Sequence, residues 1–314
     1  MIKSSNWILF VLYLQIMANI PIMLDIPVAR QTIGFLYVTF IPGYILIKLL
    51  KMKMKDVTET VLFSTGLSIA VLMLIGLAVN ETHSILAIQR PFSLPLLLPT
   101  INIFTLTCVV AAYLKNRGKR AASENININL GKPLPFLALL SLLLLSVVGT
   151  ITSGAYGDNR ILLLMIIAIA TVFVIGVFKG TISARLYPFI VLIIAISLIY
   201  HSTLVSPNLV HFGSDACGEV FTQRIVEKNA YWNPTNPYPG DQSVGRTHSM
   251  ISVTVLPTVY SLLLNLDSIL VFKIFYSLLF ALIPLGLYSL WRRFIGEKYA
   301  FASAFFFMAF QPFY

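Results

Sequence analysis

The chain has 314 residues, 58% of them hydrophobic and only 11% charged, with a formal net charge of +10 and a mean hydropathy of +0.86. No soluble domain has enough polar surface to cover such a composition, which predicts an all-α polytopic helical membrane protein. A nucleic-acid reading needs a folded basic domain, and here the basic residues are instead scattered between apolar runs.

Runs long enough to cross about 30 Å of hydrocarbon, about 20 residues each, fall near 7–24, 31–50, 58–79, 94–114, 133–152, 160–178, 186–205 and 268–290. A ninth starts near 299 and meets Tyr314, giving about nine transmembrane helices. The first run has Lys3 before it and Pro21, Asp25 and Pro27 after it, with no small-residue cleavage site, so it reads as a retained span. The last is short for a crossing, which predicts that the chain is a fragment whose activity needs a longer version.

Short cytoplasmic loops carry excess Lys and Arg. Lys3, Lys48, Lys51, Lys53, Lys55, Lys115, Arg117, Lys119, Arg120, Lys132, Lys179, Arg185, Arg292, Arg293 and Lys298 all fall in alternate loops. That places the N-terminus in the cytoplasm and the 206–250 loop outside the cell membrane, with anionic lipid headgroups as the partner of the basic face. The opposite loops hold Asp25, Arg30, Glu81, Arg90, Asp158 and Arg160, and all four His lie at or near that side. The polar chemistry is therefore expected outside.

Residues 249–265 are apolar and nearly long enough to span. If they crossed, Arg292 and Arg293 would lie outside, and Pro257 costs a helix interior about 3 kcal/mol. The segment is therefore expected to be interfacial or re-entrant. The organisation predicted is a six-helix block over 1–180 and a second unit over 181–314. The second unit comprises a span, an external acidic loop (206–250), an interfacial piece (251–265), the span 268–290 and a truncated last span (299–314). The one low-complexity stretch, Asn125 to Asn129, lies in a cytoplasmic connector.

Cys108 lies within a span and Cys217 in the loop, at depths too different for a disulfide. Asn80-Glu-Thr82 is a glycosylation sequon, a triplet that also arises by chance. The first seven runs carry no ionisable group near the bilayer centre. Lys273 is the sole intramembrane charge; its stem can snorkel to the outer interface, or its ammonium can grip a phosphate there.

Within the outer loop, residues 211–219 read His-Phe-Gly-Ser-Asp-Ala-Cys-Gly-Glu, and 215–229 is predicted to form a helix that stops before Tyr231. On it Asp215, Glu219 and Gln223 lie at i, i+4 and i+8, on one face. Paired carboxylates accept a proton, hold a divalent cation, or both. The alternative is capping by Ser214 or Asp215, an effect of about 1 kcal/mol, with Glu219 solvated. Downstream, Tyr231, Trp232 and Tyr238 offer rings for sugar stacking or for the lipid interface, and Arg246 and His248 follow Asp241.

This arrangement resembles the start of the GT-C membrane glycosyltransferases over about residues 186–314: a span, an outer loop opening Gly213-Ser-Asp215, Glu219, Tyr231-Trp232, an interfacial piece and a returning span. The resemblance implies transfer of a sugar from a polyprenyl-phosphate-linked donor to an acceptor hydroxyl at the outer membrane face. It implies Asp215 as general base and Glu219 as acceptor-orienting group, the two together holding Mg²⁺ or Mn²⁺ where a metal is used. It implies Tyr231, Trp232, Arg246, His248 and Lys273 as substrate-binding residues. These transferases have more core spans than remain here, so a partner membrane subunit or missing sequence would supply them. The N-terminal hairpin, with Arg30 and Gly34 to Tyr44, resembles polytopic membrane proteins widespread in archaea and implies no activity. The competing readings are a non-catalytic membrane scaffold and a lipid or solute transporter, the latter expected to show broken spans or polar groups at the membrane midplane.

Overall fold

The computed structural model describes residues 6–116, 133–179, 182–204, 215–233, 235 and 242–310. Every regular element among them is helical. In chain order these are α1 (Asn6–Met23), α2 (Ala29–Leu50), α3 (Val57–Leu86), α4 (Leu94–Asn116), α5 (Pro133–Tyr156), α6 (Arg160–Val174), α7 (Tyr187–Thr203), α8 (Asp215–Asn229), α9 (Gln242–His248) and α10 (Val255–Leu264). The chain continues through α11 (Ser268–Leu270), a π-helical stretch (Val271–Tyr276), α12 (Ser277–Phe280), α13 (Leu282–Ile295) and α14 (Glu297–Ala309).

Seven segments are long and apolar enough to cross a membrane: Ala29–Leu50, Val57–Leu86, Leu94–Lys115, Leu139–Tyr156, Arg160–Lys179, Ala184–Thr203 and Ser268–Ile295. The chain is thus a multi-pass membrane protein by its helices. The expected count of about nine included the first and last runs, which form α1 of 18 residues and α14 of 13 residues. The segment of doubtful span becomes α10, a helix of 10 residues, too short to cross about 30 Å at about 1.5 Å per residue. Pro257 is its third residue, where a missing N–H costs no intrahelical bond, so it starts the helix rather than breaking it.

The chain divides into two compact units, Met1–Asn125 with His211–Val271, and Ile126–Val210 with Phe272–Tyr314. The helices α8 to α11 therefore group with the first four helices, unlike the single cut near residue 180 that hairpin order suggests.

In the first unit α2 packs along α3, and α10 packs against α2, α3, α4 and α8. Nine of the ten residues of α10 are buried, so it packs as a core helix of this unit. Close approach is built in by small residues. A Cβ on Gly43 would lie 2.0 Å from the Ser64 carbonyl oxygen, and one on Gly76 would lie 2.4 Å from Val255 Cγ1. Pro42 interrupts the α2 ladder here, and the Gly43 N–H donates to Ser68 Oγ at 2.7 Å. The C-terminal carbonyls of α10 are met by the first turn of α2. Arg30, 5% exposed, donates to the Leu263 oxygen at 2.8 Å and the Leu262 oxygen at 2.7 Å, and Gln31 Nε2 donates to the Leu264 oxygen at 2.8 Å. A cation at a helix C-terminus also opposes the negative end of its dipole. Asp25 holds Arg30 from the other side at 2.7 Å and accepts from Asn265 Nδ2, the αL residue that ends α10.

Midway along α1 and α4, three amides interlock. Gln15 Nε2 and Asn19 Nδ2 donate to Asn102 Oδ1 at 2.9 and 3.1 Å, and Asn102 Nδ2 donates back to Asn19 Oδ1 at 2.9 Å. Uncharged polar pairs of this kind hold helices together where apolar contact alone gives little preference over lipid.

The second unit is organised around α7, which packs on α5, α13 and α14. Its core includes Met165, Ile169, Ile190, Ile194, Tyr288 and Phe301, with the rings of Tyr187 and Phe301 stacked 4.7 Å apart. Ser146 Oγ donates to the Ser197 oxygen at 2.7 Å, a polar tie between α5 and α7.

Candidate functional site

The helix predicted over 215–229 forms with those bounds as α8 and ends where Ala230 turns into the left-handed region at φ 56. Its buried side, Val220, Thr222, Gln223 and Val226, meets α10. The contact is polar as well as apolar. Gln223, fully buried, donates through Nε2 to Thr258 Oγ1 at 3.3 Å and to Glu227 Oε2 at 3.2 Å, and Ser261 Oγ donates to Glu227 Oε1 at 2.7 Å. The i, i+4, i+8 stripe of Asp215, Glu219 and Gln223 thus continues to Glu227, which the sequence reading passed over although the same period reaches it. Asp215 is the first residue of α8, and its side chain lies outside the described part of the structure, as do Gly213, Ser214, Tyr238 and Asp241. Glu219 is half-buried. Gln223 Oε1 is buried with no hydrogen-bond partner among the described residues.

After α8 the chain is tied to the α3–α4 hairpin. The Phe92 N–H donates to the Ala230 oxygen at 2.9 Å. Asn80, 6% exposed near the end of α3, holds the Trp232 backbone on both sides, its Nδ2 donating to the Trp232 oxygen at 2.8 Å and its Oδ1 accepting the Trp232 N–H at 2.7 Å. The sequon at Asn80 is therefore a buried clamp, its amide fully engaged. One turn on, the His83 ring stacks on Tyr231 at 4.3 Å with 9° between planes.

His248 closes the neck of the segment between. Trp232 Nε1 donates to the His248 oxygen at 2.9 Å, and His248 Nε2 donates to the Asn233 oxygen at 2.6 Å. That bond puts a proton on Nε2; Nδ1 is buried without a partner among the described residues, on a side chain 2% exposed. Of the residues expected to bind substrate, Tyr231, Trp232 and His248 thus come together in the first unit. The polar atoms of Trp232 are spent on the neck, and one face of Tyr231 is covered by His83. Arg246, on α9, is exposed. Lys273 lies in the second unit, 9% exposed, in the π-helical stretch of the Ser268–Ile295 span.

No group of three or more His, Cys, Asp or Glu that could hold a metal ion occurs among the described residues. The side chain of Asp215, which with Glu219 was expected to hold Mg²⁺ or Mn²⁺, is not among those described. Cys108 is a buried free thiol. No protein-family model, no curated protein and no solved structure matches the chain.

Proposed function

We propose that the chain is a membrane glycosyltransferase that moves a sugar from a polyprenyl-phosphate-linked donor to an acceptor hydroxyl at the end of the first unit where α8 and α9 lie. The observation that carries this reading is α8 itself: a polar helix opening at Asp215, with Glu219 one turn on and half-buried, anchored to the buried, apolar α10 through Gln223 and Glu227. Such a helix holds a carboxylate in fixed register beside the membrane boundary, where a lipid-borne phosphate arrives. The acceptor oxygen attacks the anomeric carbon as the bond to the lipid phosphate breaks. Asp215 takes the hydroxyl proton, Glu219 orients the acceptor, and Arg246 offsets the charge that develops on the leaving phosphate.

The test is Asp215→Asn, assayed by transfer of labelled sugar from a polyprenyl-phosphate donor in membranes. Asn caps a helix about as well as Asp but has no basicity. Transfer is expected to drop by about 10² or more with protein level kept; transfer at the parent rate would remove Asp215 as the base and the reading with it.

What supports a second reading, passage of a small polar solute, is the amide knot of Gln15, Asn19 and Asn102 inside the first unit, where Gln15 Oε1 is buried and unpartnered among the described residues. Flux in proteoliposomes that is abolished by Asn102→Leu and indifferent to Asp215→Asn would favour it over glycosyl transfer.

A further inference from the structure

The end of the first unit opposite the Asn80–His248 neck is built differently. Between α2 and α3 the sequence Lys51-Met-Lys-Met-Lys55 leaves the helix through Lys51, at φ 56, and runs without regular structure until Asp56 caps α3. Its exposure alternates: Lys51, Lys53 and Lys55 are exposed, while Met52 and Met54 are half-buried. A period of two is the signature of a chain with one edge packed and the other presented. Lys51 Nζ donates to the Lys115 oxygen at the end of α4, 3.3 Å away, which draws an exposed lysine from a second helix end to the same place. Lys48 lies 5.3 Å from the centroid of the Tyr44 ring one turn earlier.

The neighbouring acids are committed to the backbone. Asp56 Oδ1 accepts the Glu59 N–H at 2.9 Å, and Glu59 Oε2 accepts the Lys55 N–H at 3.0 Å from a residue 4% exposed. This is a reciprocal cap of the start of α3. No ion pair between a carboxylate and Lys51, Lys53 or Lys55 occurs among the described residues. α2, α3 and α4 are all of membrane length, and lysines at the ends of such helices stand where a spanning helix meets the lipid headgroups.

We infer that this strip, Lys51, Lys53 and Lys55 with Lys115 beside it, binds the phosphate headgroups of acidic phospholipids. The helix ends fix it against the bilayer rather than in open solvent, and its half-buried methionine edge leaves only the cations facing outward. The proposal holds whichever reaction the opposite end performs.

The experiment is a lipid titration of the purified full chain in mild detergent, read by native mass spectrometry with phosphatidylglycerol against phosphatidylcholine. The parent is expected to prefer phosphatidylglycerol. Each lysine near a lipid surface contributes about a fivefold gain in binding, so Lys51→Gln, Lys53→Gln and Lys55→Gln together should lower phosphatidylglycerol affinity by about 100-fold while leaving phosphatidylcholine unchanged. Lys→Arg at the same positions should keep the preference, because only charge is required, and Lys53→Gln alone should cost about fivefold if the triple variant does not fold. Equal phosphatidylglycerol affinity in parent and glutamine variant, loss of binding in the arginine variant, or no preference in the parent would overturn the assignment. Displacement of the lipid by inorganic phosphate at matched concentration would reassign the strip to a soluble anion and equally defeat it.

Discussion

Replacing Asn80 by Ala removes both hydrogen bonds that hold the Trp232 backbone, the donor to its oxygen at 2.8 Å and the acceptor of its N–H at 2.7 Å. A buried backbone group left without a partner costs about 1–3 kcal/mol, and two are lost. Trp232 is half-buried, so water recovers part of this, and the net cost is about 2–4 kcal/mol. That corresponds to roughly 30-fold to 1,000-fold faster opening of the neck. The assay is hydrogen exchange of the peptide spanning Trp232, by mass spectrometry on detergent-solubilised protein, alongside the melting temperature. Asn80→Asp adds a second arm. The carboxylate keeps the acceptor for the Trp232 N–H but turns an anionic oxygen toward the Trp232 carbonyl. Asn80→Asp therefore restores only one of the two contacts, and exchange at Trp232 should fall between that of the parent and that of Asn80→Ala. Unchanged exchange at Trp232 in Asn80→Ala would refute the clamp and release Asn80 for a different role.

Gly43→Ala places a Cβ 2.0 Å from the Ser64 oxygen and 2.7 Å from Ser68 N, so α2 and α3 must separate; the expected cost of about 1–3 kcal/mol outweighs the helix-propensity gain of about 1 kcal/mol. Gly66→Ala, on the same pair of helices with nothing within 4 Å, should be neutral or stabilising, and equal melting temperatures for the two variants would contradict the packing. Arg30→Met strips the cap from the α10 carbonyls and should lower stability by about 3 kcal/mol, with Arg30→Lys recovering only part because one ammonium cannot reproduce the guanidinium fork. The hydrogen bonds from Arg30 and then Asn265 hold the Asp25 carboxyl below its ordinary value. Its stabilisation is therefore present above that ordinary value and lost as pH falls through the lowered one, and a melting-temperature series in pH should lose that acid limb in Asp25→Asn.

The spans were legible in the sequence because a membrane helix is specified by transfer free energy summed over contiguous residues, which a run such as 31–50 carries by itself. So was α8, where local turn signals stand at both ends. The role of Asn80 was not. A sequon pattern describes three neighbours, while the group that engages Asn80 is the Trp232 backbone, 152 residues away. Arg30 was read as an outer-loop charge because its partners, the Leu262 and Leu263 carbonyls, lie 232 and 233 residues along the chain. Nothing in a local pattern distinguishes an arginine meant for solvent from one meant for a helix end. The grouping of α8 to α11 with the first four helices has the same origin. Each apolar helix is equally at home in lipid, so which helices meet is set by the few close-packing glycines and buried polar pairs that only the folded chain brings within reach.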